Sequence, residues 1–334
     1  RLRGRETTDG LRLFAGIRYA EAPVGDFRWR PPRTSKESET LVDARTFGPS
    51  CPQKNTRGRV FGDEDCLSLN IWASADIGSK PVMVWFHGGA YAKGTTDVHV
   101  SDSWTPLYNG QELSIQGAVV VTVQYRLSAL GFLGSASLRA RDSSGSTGNY
   151  GVQDQRLALQ WVQRHVAAFG GDPERVMIFG ESTGAGSVNW HLVARASNGL
   201  FHSAALESGA CAPWAFQSMQ QAEEGFVQLS SLMDCENVTC LLGKSAYELV
   251  QQGTWAPTVD GVEVNDMPCE KMLQGDFAKV PVIVGFNRDE AGPLKTTNIT
   301  ETDFDRLLQA QVPREHREQV KAEYNSRYSD WYWA

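Results

Sequence analysis

The sequence predicts an α/β fold, a central and mostly parallel β-sheet with helices on both faces. Three observations carry that reading. Apolar runs of strand length, Pro81-Val-Met-Val-Trp-Phe86, Ala118 to Tyr125 and Val280 to Phe286, lack polar alternation and so suit strands buried on both faces. Stretches with helical spacing separate these runs. Strands alternating with helices bury themselves most readily as a parallel layer between two helical layers. Third, Arg175 to Gly186 places an apolar run, a Gly180-Glu181-Ser182-Thr183-Gly184 turn and a helical pattern in immediate succession.

Residues 1–35 read as short strands and turns that end in Phe27-Arg-Trp-Arg-Pro-Pro32. Leu67 to Trp72 alternates like a strand. Asp154 to Ala168 is helical, with Leu157, Trp161, Val162 and His165 on one face. Val176 to Phe179 is the strand before the turn, and Ser187 to Ala194 the helical pattern after it. Ala204 to Ser208 is a further short strand. Residues 217–252 read as mostly helical, and 302–325 as a charged helical segment. No internal repeat, low-complexity tract or linker divides the 334 residues, 41% of them hydrophobic, so residues 1–334 read as one domain.

A net charge of −7 argues against nucleic acid or an anionic membrane as partner, and no apolar run has the length of a membrane span. No signal peptide is read at Arg1-Leu-Arg-Gly-Arg5, which looks like the interior of a domain. The six cysteines form no C-x-x-C and the histidines are scattered, so neither a metal site nor any cofactor is expected. Cys51/Cys66 and Cys235/Cys240 lie close in sequence and are expected as disulfides. Cys211 is expected unpaired near the pocket, a bond to Cys269 being the less favoured alternative. Asn237-Val-Thr239 and Asn298-Ile-Thr300 are glycosylation sequons. Loop-closing cysteines beside sequons point to an oxidising, secreted or extracytoplasmic setting.

The chemistry centres on Ser182. A G-x-S-x-G turn between strand and helix is so tight that small residues must flank the serine, and it lifts the hydroxyl above the sheet beside a helix N-terminus. A serine that accepts an acyl group needs donors for the oxyanion that develops. His87-Gly88-Gly89 ends a buried strand, where glycines let the backbone approach a substrate, and Thr183 is placed to add its own N–H. The expected oxyanion hole is therefore Gly88, Gly89 and Thr183.

Six motifs occur in order: Glu64-Asp-Cys-Leu-Ser-Leu-Asn70, His87-Gly-Gly-Ala90, Tyr125-Arg-Leu127, Gly148-Asn-Tyr-Gly-Val-Gln-Asp-Gln155, Phe169-Gly-Gly-Asp-Pro173 and Phe179-Gly-Glu-Ser-Thr-Gly184. The series resembles the type-B carboxylesterase/cholinesterase family of α/β-hydrolases from about Gly4 onward. The resemblance implies a Ser-Glu-His triad with Ser182 as nucleophile and Glu290, in Gly285-Phe-Asn-Arg-Asp-Glu290, as acid; Asp289 is the neighbouring rival. It also implies a buried supporting Glu181, a supporting Ser208 and an acyl-pocket Trp214. Two ion pairs are carried over, Arg28 with Glu64 and Arg126 with Asp154. His87, His99, His165, His191, His202 and His316 match no triad position. The base is expected beyond residue 334, the chain to be a fragment lacking the C-terminal part of the domain, and these residues alone to be inactive.

The implied function is hydrolysis of small neutral carboxylic esters through an acyl-enzyme. Cholinesterases wall their site with aromatic rings that attract a cationic choline. Here the loop from Cys51 to Cys66 holds no tryptophan, and Pro293 and Leu294 follow the acid where aromatics would stand. The alternatives are a non-catalytic binding or adhesion protein of the same family, which typically lacks the nucleophile, a lipase of the family, or an α/β-hydrolase peptidase. The acyl length, the alcohol and the oligomeric state are not encoded in any motif.

Overall fold

Eight strands form the central sheet: β1 (Arg5–Glu6), β2 (Arg12–Arg18), β3 (Ser68–Ala73), β4 (Lys80–Phe86), β5 (Val119–Val123), β6 (Gly171–Glu181), β7 (Ser203–Glu207) and β8 (Val282–Gly285). Their spatial order is β8-β7-β6-β4-β5-β3-β2-β1. The structure is a computed structural model that describes residues 1–36, 38–55, 57–76, 78–96, 107–250, 253, 255–288, 290, 300–312 and 314–327. It divides into two units, Arg1–Phe286, which holds the sheet, and Asn287–Ala334.

The run from β8 to β5 is parallel throughout, whereas β3, β2 and β1 pair antiparallel. The sheet is therefore mixed, with its antiparallel part confined to the N-terminal strands. The difference is physical. Along β2 buried residues alternate with half-buried ones, while every residue of β5 is buried. Parallel strands need cover on both faces, and antiparallel strands tolerate one wetter face.

Successive side chains of each strand enter opposite layers. Val82, Val84 and Phe86 of β4 join Val119, Val121, Val123 and Ile178 in the main core, while Trp85 packs with Phe179 and Ala205 on the other face. The main core receives helix α1 (Tyr150–His165) through Leu157, Trp161 and Val162, and helix α2 (Thr183–Val193), all of whose residues are buried. Burying a side chain such as Val188 or Leu192 contributes about 1.5–3 kcal/mol, and α2 places several of them directly behind the turn at Ser182. At the sheet's edge Ile283, Val284 and Phe286 are 69%, 56% and 82% exposed, and no strand pairs with the outer side of β8 among the described residues. Such an unpaired apolar edge is a template for pairing.

Three disulfides staple the first unit: Cys51–Cys66, Cys235–Cys240 and Cys211–Cys269. The last corrects the expectation of an unpaired Cys211. Its partner lies 58 residues away, yet the fold brings the two Cα atoms to 5.1 Å. Arg28 grips Glu64 with Nε and Nη2, both at 2.6 Å. Arg126 grips Asp154 through Nε at 2.8 Å, Nη2 at 2.7 Å and its backbone N–H at 3.0 Å. Burial pushes the Asp154 carboxyl above its usual range, and the Arg126 guanidinium opposes the shift. In the second unit, helix Glu301–Gln311 meets helix Arg317–Arg327 through the Phe304 and Tyr324 rings and a Lys321–Asp305 ion pair of 2.6 Å.

Candidate active site

Ser182 stands between the last residue of β6 and the first of α2, at φ 56° and ψ −124°. A non-glycine residue holds such a conformation only when its surroundings over-determine it, at a cost of about 1–3 kcal/mol. Those surroundings are visible. The Ser182 N–H donates to the Glu207 carbonyl at 2.9 Å, and the Ser182 carbonyl accepts the Gly186 N–H at 3.0 Å. A Cβ added at Gly184 would lie 2.1 Å from the Phe86 carbonyl oxygen, so only glycine lets α2 start this close to β4.

β4 lies beside β6 with Phe86 opposite Gly180, so His87-Gly88-Gly89 emerges at the same end of the sheet as Ser182. A Cβ at Gly88 would sit 3.1 Å from the Ser182 Cβ. Thr183, 2% exposed, heads α2, and its hydroxyl accepts the Tyr91 N–H at 3.4 Å. The first N–H groups of a helix have no intrahelical acceptor, which leaves them available to an anion. The Tyr125 hydroxyl donates to the His87 carbonyl at 2.6 Å, and the two rings stack at 4.4 Å. Burial lowers the His87 pKa to about 4, so the imidazole is neutral and its Nδ1 donates to the Gly88 carbonyl at 3.0 Å. His87 is a structural member of the turn.

The remaining expected residues divide. Glu181, anticipated as buried, is exposed: it is the last residue of β6 and stands in register with Glu207 of β7. Desolvation raises the Glu207 carboxyl above its usual range. Ser208 follows β7 with φ 54° and donates its N–H to the Gly285 carbonyl at 2.8 Å. Gly209 packs on the elbow, since a Cβ there would lie 2.1 Å from the Ser182 carbonyl oxygen. The segment continues to Trp214, 52% exposed, at a cavity of about 340 Å³. Phe216, Leu229, Leu232, Gly253 and Trp255 also line that cavity, a volume suited to a small ligand. Glu290 belongs to the second unit, where its carboxylate accepts the Asn287 N–H at 2.7 Å. Asn237 is exposed and its Oδ1 accepts the Cys240 N–H at 3.0 Å. Asp289, Asn298, His99, Pro293 and Leu294 lie outside the described residues.

The described histidines of the first unit are engaged elsewhere. His191 bonds Ser197 Oγ at 2.9 Å and Gln155 Oε1 at 3.1 Å, and burial, then the Arg156 charge, lower its pKa to about 3. His202 accepts the Val176 N–H at 3.3 Å, and the His165 ring packs on Trp161 at 4.8 Å. Sequence reasoning missed that the His191–Gln155 contact extends to the elbow: Gln155 Nε2 donates to Ser187 Oγ at 3.0 Å, which donates to the Thr183 carbonyl at 3.1 Å. The one signal was two polar residues, Ser187 and His191, spaced one helical turn apart on the same side of the helix.

Residues 1–333 match the sequence model of the Carboxylesterase family. The chain belongs to the Carboxylesterase family. It is 37% identical over 295 residues to the fumonisin B1 esterase of Sphingopyxis macrogoltabida, covering 84% of this chain and 53% of that protein. With the Mus musculus cholinesterase the identity is 35% over 313 residues, covering 83% of this chain and 49% of that protein. The chain thus spans about half the length of both relatives. Among solved structures, the Geobacillus stearothermophilus carboxylesterase at pH 6.2 superposes with a TM-score of 0.85 at 31% identity, over 98% of this chain and 69% of that one. A PNB esterase does so with a TM-score of 0.84 at 30% identity, over 97% of this chain and 70% of that one. These are α/β-hydrolase carboxylesterases, and the family's fold is that of the sheet and helices described above.

Proposed function

We propose that this protein hydrolyses small neutral carboxylic esters through an acyl-enzyme on Ser182. The observation that carries the reading is the left-handed Ser182 at a strand-to-helix turn with His87-Gly88-Gly89 beside it. In the proposed cycle Ser182 Oγ attacks the acyl carbon as its proton passes to a base, and the oxyanion receives N–H groups from Gly88, Gly89 and Thr183. The base returns the proton to the departing alcohol; water, activated by the same base, then releases the acid and regenerates Ser182. The base is expected to be a histidine other than His87, His165, His191 and His202, which are otherwise engaged. Glu290 is assigned the acid on its motif alone.

The cavity at Trp214 is the proposed seat of the acyl group. Phe216, Leu229 and Trp255 form a buried apolar wall that favours an uncharged acyl chain, while Gln217, Gln221, Glu224 and Gln228 make the rest of the lining polar. Three disulfides and the exposed Asn237 sequon favour a secreted, glycosylated protein, and no helix among the described residues is long and apolar enough to cross a membrane. The test is hydrolysis of neutral 4-nitrophenyl esters by the full-length protein. Turnover falling by about 10⁶ in Ser182→Ala is the expected result. Undiminished turnover in that variant, or hydrolysis confined to choline esters, would refute it.

A further inference from the structure

Gln53 lies in the hairpin of two-residue strands Gln53–Lys54 and Val60–Phe61, inside the loop closed by Cys51–Cys66. Its side chain is 3% exposed, and both ends of its amide are engaged. Nε2 donates to the Gly94 carbonyl at 2.8 Å and to the Cys51 carbonyl at 3.0 Å, while Oε1 accepts the Gly94 N–H at 2.9 Å. One side-chain amide thus pairs with one residue's backbone much as a neighbouring strand would.

Gly94 is packed on the turn that carries the oxyanion glycines. A Cβ there would lie 2.2 Å from His87 Nδ1 and 2.5 Å from the Gly88 carbonyl oxygen, and its φ of +125° also demands glycine. The turn closes on itself, with the Gly89 carbonyl accepting the Ala92 and Lys93 N–H groups at 3.1 and 3.0 Å. Next along, Thr95 Oγ1 accepts from Ser50 at 3.0 Å and from Gln124 at 2.6 Å. The disulfide-closed hairpin therefore grips the far end of residues 87–94.

We propose that Gln53 is a positioning residue, whose amide holds Gly94 against His87 and Gly88 and so sets the direction of the Gly88 and Gly89 N–H groups. The proposal rests on the reading of those groups as oxyanion donors. Glutamine suits the place because one planar group both donates and accepts there. An ionised glutamate only accepts, and methionine has no comparable donor or acceptor.

Gln53→Glu in the full-length protein is the test. The ionised carboxylate repels the Gly94 and Cys51 carbonyls, whereas the protonated form regains one donor, enough for the Gly94 carbonyl, and burial raises that carboxyl into the range where esterases are assayed. At pH 8 the variant's kcat is expected to fall about 10- to 100-fold, as for a misdirected donor, with KM within about twofold of wild type. The ratio of variant to wild-type kcat then climbs as the pH is lowered toward 5. Lys54, Arg57, Arg59, His87, Lys93 and the Glu181 carboxylate are common to both proteins, so the ratio cancels their titration. Gln53→Met shows a similar deficit that is flat with pH, and it decides the matter if the glutamate variant does not fold. Wild-type kcat in either variant, a change in KM alone, or a pH-independent deficit in Gln53→Glu overturns the proposal. Ester hydrolysis that survives Ser182→Ala would instead overturn the reading on which it rests.

Discussion

Replacing Asp154 with alanine removes the partner of a charge that water cannot reach. The Arg126 side chain is 3% exposed, and Asp154 accepts from its Nε, its Nη2 and its backbone N–H. Without the carboxylate, Arg126 keeps the Arg30 carbonyl at 2.9 Å and a long contact of 3.4 Å to the Tyr150 carbonyl. A buried guanidinium left with so little compensation costs about 3–5 kcal/mol. Urea unfolding of the full-length protein should therefore show a midpoint lower by about 1–1.7 M at unchanged slope, taking a slope near 3 kcal/mol/M. The double variant Arg126→Met/Asp154→Leu should lose less than the two single losses added together, because it leaves no unpaired charge. Wild-type stability in Asp154→Ala would refute the reasoning.

Two further outcomes follow from the elbow and its helix. Gly184→Ala should abolish ester hydrolysis, since its Cβ would meet the Phe86 carbonyl oxygen at 2.1 Å and push α2 from β4; turnover above about a tenth of wild type would contradict the close approach. His191 is neutral in the folded state down to about pH 3 but titrates near 6.5 when unfolded. The unfolded chain then binds the extra proton throughout that window, so stability is fully present above pH 6.5 and is lost as the pH falls toward 3. In His191→Gln the slope of unfolding free energy between pH 6 and 4 should be shallower by about 1.4 kcal/mol per pH unit, and an unchanged slope counts against a neutral His191.

Much of this was legible in the sequence because it is locally encoded. The G-x-S-x-G turn dictates the conformation of Ser182, and the continuous apolar runs at Pro81–Phe86 and Val176–Phe179 announce strands buried on both faces, here adjacent and parallel. Cys51–Cys66 and Cys235–Cys240 close short loops and so suggest themselves. Features that depend on chain-distant packing were not legible. Cys211 finds Cys269 only because the segment after β7 folds back onto the helix Pro268–Leu273. Gln53 looks like any polar loop residue until Gly94 is brought to it across 41 positions. Glu181 was expected buried by its motif, but its exposure depends on what covers the end of β6.

The central claim is that Ser182 is the acyl-accepting nucleophile, and an active-site-directed fluorophosphonate tests it most directly. The full-length protein is labelled, digested and mapped by mass spectrometry. One stoichiometric phosphonyl adduct on Ser182, lost in Ser182→Ala, is the expected result. An adduct on another serine, or no labelling of a folded, ester-hydrolysing protein, would contradict it.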